Sequence, residues 1–191
     1  MKLFITAAIL FLPNLIFPQQ VADTSYNPII KKPQYETEKG PIIYIDEGHY
    51  NFHTKNGRYK PFAKLLERDG YQVKEFKGLI KDSKLKKGKI IVISNPLNKK
   101  NVEDWFLPNP SVFKNSEIET LRKWVLNGGS LFLIADHMPM AGASKDLAKV
   151  FGFQFTNGFV FDTLSRGPSI FKTNENTLIE SSITKGCDST E

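Results

Sequence analysis

Two short runs limit what this chain can fold into: Lys89 to Ser94 (KIIVIS) and Ser130 to Ala135 (SLFLIA). Neither alternates apolar with polar residues, so each is expected to be a strand, and Lys89 to Ser94, apolar throughout, one covered on both faces. Strands of that kind belong to parallel sheets, whose helical crossovers cover both faces at once.

The rest of the pattern agrees. Pro41 to Ile45 is a short β-branched run ending at Asp46, and Tyr71 to Phe76 alternates as a further strand. Lys60 to Arg68 puts Phe62, Ala63, Leu65 and Leu66 on one helical stripe and stops at Asp69-Gly70. Ser116 to Asn127 predicts a second helix, with Ser116 and Glu119 as its capping box, an apolar stripe of Ile118, Leu121, Trp124 and Val125, and Gly128-Gly129 as its stop. Ala143 to Phe151 reads as a short helix, and Phe153 to Phe161 as one or two strands around Asn157-Gly158. Strands that alternate with helices predict an α/β fold with a mostly parallel sheet and helices on both sides.

Residues 1–20 open with Met1-Lys2, continue through an apolar run to Phe17 and end at Pro18-Gln19-Gln20. That is the outline of a signal peptide, with cleavage between Gln19 and Asp23. The run is shorter than the roughly 20 apolar residues of a spanning helix and contains Pro13, so no permanent membrane span is expected after cleavage, and the protein is expected to be secreted or periplasmic. Residues 21–40 carry prolines and charges without a period, as a linker does, and the domain is expected over residues 41–191.

The chain has one cysteine, Cys187, which excludes an internal disulfide and a cysteine zinc site. Net charge is +6, yet the densest basic cluster (Lys81, Lys84, Lys86, Lys87, Lys89) has no interleaved aromatics or arginines. It reads as a solvated face, so no nucleic-acid partner is expected; protein partners stay unspecified.

Ligands of parallel α/β sheets bind beyond the carboxyl ends of the strands. Three such ends carry polar chemistry: Asp46 to His53, Asn95 to Asn98, and Asp136-His137. All three histidines lie in two of these loops, so Asp46, Glu47, His49, Asn51, His53, Asn95, Asp136 and His137 are the candidate ligand-binding residues. His49, His53 and His137, with the carboxylates beside them, are also the donors a divalent cation would take, although no standard ligand spacing such as His-Glu-x-x-His is present. The third reading is structural, in which His49 and Asp136 hydrogen-bond across the loops and hold them. A nucleophile is harder to find: there is no Gly-x-Ser-x-Gly elbow, Cys187 sits in a polar tail, and Ser94 ends a buried strand. Trp105 and Phe106, in a long proline-containing loop, are either anchors for that loop or a stacking platform for a sugar ring.

The series IDEGHYNFHT, LLERDGY, IIVISNPLN, WVLNGGSLFLIADHMPMAGA and FGFQFTNGFVFD resembles the exported, uncharacterised branch of the class I glutamine amidotransferase-like superfamily, over residues 41–162. The resemblance implies a flavodoxin-like three-layer sandwich, and a domain that continues past Ile183 to Gly186, so that a final helix or strand lies beyond Glu191. Amidotransferases of this superfamily carry a nucleophilic cysteine on a turn after a strand. The matching turn here is Asp136-His137-Met138, which argues against glutaminase activity. Some related domains are non-enzymatic parts of envelope and transport machines. Three functions therefore remain open: binding of a polar ligand such as a carbohydrate or cell-wall fragment, metal-assisted hydrolysis by the two histidine loops, and a role in envelope assembly.

Overall fold

A computed structural model describes residues 21–163 and 169–185. The expected signal peptide at residues 1–20 and Cys187 lie outside the described residues. The chain divides into two compact units, residues 1–158 and 159–191.

In the first unit, strands β1 (Ile42–Asp46), β2 (Gln72–Phe76), β3 (Ile90–Ser94) and β4 (Ser130–Ile134) form one sheet in the order β2-β1-β3-β4. Every pairing is parallel, with Ile42 opposite Gln72, Ile43 opposite Ile90, and Ile90 opposite Ser130. Helix α1 (Lys60–Arg68) joins β1 to β2, the short α2 (Asp82–Leu85) precedes β3, α3 (Asn115–Leu126) joins β3 to β4, and α4 (Met140–Lys149) follows β4.

Side-chain alternation along the strands splits the core into two layers. Ile43, Ile45, Val73 and Val92 pack with Ala63, Phe62 and Leu66 of α1. On the other face Tyr44, Phe76, Ile91 and Ile93 pack with Leu85 of α2, with Ile118, Leu121 and Trp124 of α3, and with Leu147 of α4. The result is a three-layer α/β sandwich, as the pattern of strands and helices requires. The order runs as the flavodoxin-like one does through its fourth strand, with β1 and β3 at the point where the direction of winding reverses.

Several expectations shift. Helix α3 begins at Asn115, so Glu117, not Glu119, closes its first turn: its Oε2 accepts from the Lys114 N–H at 3.1 Å. Glu119 instead pairs with Arg122 on the exposed face. The helix then stops where expected, because Gly128 takes φ +90° and a Cβ on Gly129 would stand 2.3 Å from the Trp124 ring. The second shift concerns Phe153 to Phe161, which forms no strand. The Asn157 side chain there accepts from the Gly142 N–H in the first turn of α4 and donates to Asn109, and that pairing takes the place of a sheet ladder.

Strand β4 is an edge among the described residues, and Phe132 is 52 % exposed. The segment expected to be a linker is tied down. The Gln34 N–H donates to Asp69, and the Tyr35 ring meets Tyr71 edge-on at 5.1 Å. Among the described residues no helix is long and apolar enough to cross a membrane.

In the second unit the described residues are mostly exposed and hold one 3-10 turn, Thr173–Glu175, closed by a Lys172 to Glu175 ion pair.

Candidate functional site at the carboxyl ends of the strands

The loop after β1 is held from beneath by a buried ion cluster. Asp46, fully buried at the end of β1, receives His49 Nδ1 on Oδ2 at 2.8 Å and the Gly48 N–H on Oδ1 at 3.1 Å. His49 Nε2 meets Glu117 Oε1 at 3.1 Å, and that oxygen also accepts the Ile80 N–H at 2.9 Å. Burial alone would lower the pKa of His49, but its hydrogen bonds and charge contacts with Asp46 and then Glu117 outweigh that and raise it. Glu117 is shifted the other way. Burial would raise it, yet the N–H groups of Ile80 and Lys114, together with His49, hold it below the ordinary carboxylate range. His49 is therefore an imidazolium clamped between two carboxylates, and it ties β1 to the first turn of α3.

Asn51 and Asn95 continue this framework. Asn51 Oδ1 accepts the His49 N–H at 3.1 Å and its amide reaches the Ser94 carbonyl. The Asn95 carbonyl accepts the Phe52 N–H at 2.9 Å, and Asn95 Oδ1 accepts the Asp136 N–H at 3.2 Å. Glu47 turns toward its own loop and accepts the Lys55 N–H at 2.9 Å. Of the eight candidates read from the sequence, Asp46, His49, Asn51 and Asn95 are buried and spend their polar atoms on holding the loops together. These are contacts of the kind the structural reading expects, with His49 held by Asp46 and Glu117 and the Asp136 N–H by Asn95.

Above this framework lie His53, Asp136 and His137, which are partly or fully exposed. His53 stacks on Tyr59 at 4.6 Å and 29°, and Ser94 Oγ lies 3.2 Å from His53 Nδ1 and 2.9 Å from Tyr59 Oη. Burial pushes His53 below the ordinary histidine range, the Asp136 charge opposes the shift, and Arg58 adds to it. Phe52 meets His53 edge-on at 5.4 Å and Trp105 edge-on at 5.9 Å, and Trp105 lies 5.8 Å from His137. Arg58 sits 4.0 Å over the Phe52 ring. His137 Nδ1 donates to the Met138 carbonyl at 2.6 Å.

Trp105 anchors its loop, since its ring contacts Phe52 and His137 from two other loops, and it remains 37 % exposed. The side-chain amide of Asn101 shapes its loop by donating to the carbonyls of Asp104 and Phe106, each at 3.0 Å.

The three histidines do not converge. His49 has both ring nitrogens on carboxylates, His53 faces Ser94, and among the described residues no three His, Cys, Asp or Glu side chains are grouped to hold a metal ion. Ser94 is fully buried, which removes it as a nucleophile for an incoming substrate.

Sequence reasoning missed Glu117, Tyr59 and Arg58. Glu117 carried a signal, an acid in the first turn of a strongly patterned helix. Tyr59 and Arg58 carried none, because they lie in an irregular stretch before α1.

No family model, no curated protein and no solved structure matches the chain. The class that the fold and site define is a parallel α/β domain with a cluster of aromatic rings at the carboxyl ends of its strands, beside the β1/β3 switch point.

Proposed function

We propose that this chain is an exported domain of the amidotransferase-like type, lacking the catalytic cysteine, that binds a carbohydrate or cell-wall fragment in the crevice above β1, β3 and β4. The observation that carries the reading is the row of rings Phe52, Trp105 and His137, each within 6 Å of the next, beside the exposed Asp136 carboxylate. Aromatic faces accept the apolar faces of sugar rings, and a carboxylate at their edge accepts hydroxyl hydrogens. The strand order supports the superfamily part of the proposal, and the turn after β4, which offers Asp136-His137-Met138 where a nucleophile would stand, supports the absence of glutaminase chemistry. The apolar leader at residues 1–20 supports export.

Co-sedimentation with insoluble polysaccharides and with peptidoglycan sacculi tests the reading. Retention of the chain on at least one of them, reduced about tenfold by Trp105→Ala, is expected. Retention on none of them, or retention indifferent to Trp105→Ala, contradicts it.

A further inference from the structure

A cavity of about 140 Å³ opens beside the aromatic row, lined by Val21, Ala22, His53, Arg58 and Tyr59; within the expected cleavage range of Gln19 to Asp23, it belongs to a chain cut before Val21. Pockets that hold a whole small molecule run from roughly 300 to 1,000 Å³, so this one has room for a substituent and not for a ring.

Its hydrogen-bonding sense follows from a proton count. Ser94 Oγ has one hydrogen, which it donates to Tyr59 Oη. His53 Nδ1, 3.2 Å from the same Oγ, must then be the protonated nitrogen and donate to it. A neutral imidazole protonated at Nδ1 carries its lone pair on Nε2, and that atom makes no hydrogen bond among the described residues and is not buried. Tyr59, which uses its oxygen to accept from Ser94, keeps its own hydrogen to donate. His53 and Tyr59, both of which line the cavity, thus carry between them one acceptor and one donor, the pair that a single hydroxyl group satisfies by giving its hydrogen to one and taking one from the other. The lowered pKa of His53 keeps the imidazole neutral near pH 7, as the acceptor role requires.

We propose that this cavity is a subsite for the hydroxymethyl arm of a neutral hexopyranose, with His53 Nε2 as acceptor and Tyr59 Oη as donor. The proposal rests on the carbohydrate reading of the crevice and narrows it to hexoses over pentoses. The charged and titratable groups facing His53 are Arg58 and Tyr59 from its own loop and Asp136 after β4, with the neutral Ser94 at the end of β3. Acidification below the pKa of His53 turns its acceptor into a second donor and removes the match.

The test uses the full chain, titrated by NMR with methyl β-glucopyranoside, methyl β-galactopyranoside and methyl α-mannopyranoside, each paired with the pentopyranoside that lacks only the hydroxymethyl arm. The best hexoside is expected to bind about five- to tenfold more tightly than its pentose partner, the size of a hydrogen-bonding pair between neutral groups. Tyr59→Phe, checked for folding by circular dichroism, is expected to bring the hexoside to the pentoside's affinity and leave the pentoside unchanged. Equal affinity of hexoside and pentoside overturns the subsite and leaves the crevice reading standing. Failure of every glycoside to bind overturns both. Independently of any ligand, the ¹⁵N shifts of His53 are expected to report the tautomer protonated at Nδ1, and protonation at Nε2 overturns the proposal even if Tyr59→Phe fails to fold.

Discussion

His49 Nε2 lies 3.1 Å from Glu117 Oε1, and both side chains are within 3 % of full burial. Through this contact, and the 2.8 Å contact of Nδ1 with Asp46, one imidazolium links the end of β1 to the start of α3 beneath the crevice. Removing one member of a buried ion cluster leaves the others charged and unpaired, which typically costs about 3–5 kcal/mol. His49→Ala is therefore expected to lower the unfolding free energy by about 3 kcal/mol in urea denaturation. A loss below about 1 kcal/mol contradicts the clamp.

The same cluster sets a pH dependence with a definite sign. The pKa of His49 is raised above its unfolded value of 6.5, so its contribution is fully present below that value and is lost as pH rises through the folded pKa. Glu117 is lowered from 4.5, so its contribution is present above that value and is lost as pH falls through its folded pKa. Thermal melts are expected to place maximum stability in the mildly acidic range between the two. His49→Ala is expected to flatten the alkaline side. A melting temperature that climbs steadily from pH 6 to pH 8 contradicts this.

Gly48 and Gly78 show how closely the loops after β1 and β2 approach. A Cβ on Gly48 would stand 2.4 Å from the Gly78 carbonyl oxygen and 2.9 Å from its nitrogen, and both are backbone atoms with little freedom to move. Gly48→Ala is expected to cost about 1–3 kcal/mol, the usual range for overpacking, and calorimetry measures it directly. A neutral outcome places the two loops farther apart than described.

Phe132 predicts the opposite pattern. It is half exposed on an edge strand that has no charge, no proline and no bulge, features by which edges are normally protected from pairing with other chains. Phe132→Lys is expected to change stability by less than about 0.5 kcal/mol while reducing concentration-dependent association in sedimentation velocity. A large loss of stability shows that the ring is covered.

Much of the fold could be read in advance because its cause is local. Ile91 to Ile93 and the stripe Ile118, Leu121 and Trp124 show their burial as periodicity, and the parallel order follows from covering both faces. The edge position of β4 was not legible, since Leu131 to Ile134 look the same whether or not a neighbour is present. At the candidate site, the sequence singled out loops that the structure brings to the same end of the sheet and blurred the roles within them. Asp46, His49 and Asn51 differ from His53 only in which way the loop turns them, and the partner that decides it, Glu117, stands 68 residues from His49 in the chain. Tyr59 and Arg58 reach the crevice through a turn that no periodicity announces.

Backbone amide shifts on titration with the polysaccharide fragment that retains the chain test the central claim most directly. The crevice predicts that the largest changes fall on Phe52, His53, Trp105, Asp136 and His137, with the Trp105 indole N–H among them. Changes confined to the apolar groove formed by Val125, Leu131, Phe151 and Phe155, or no changes at saturating fragment, contradict it.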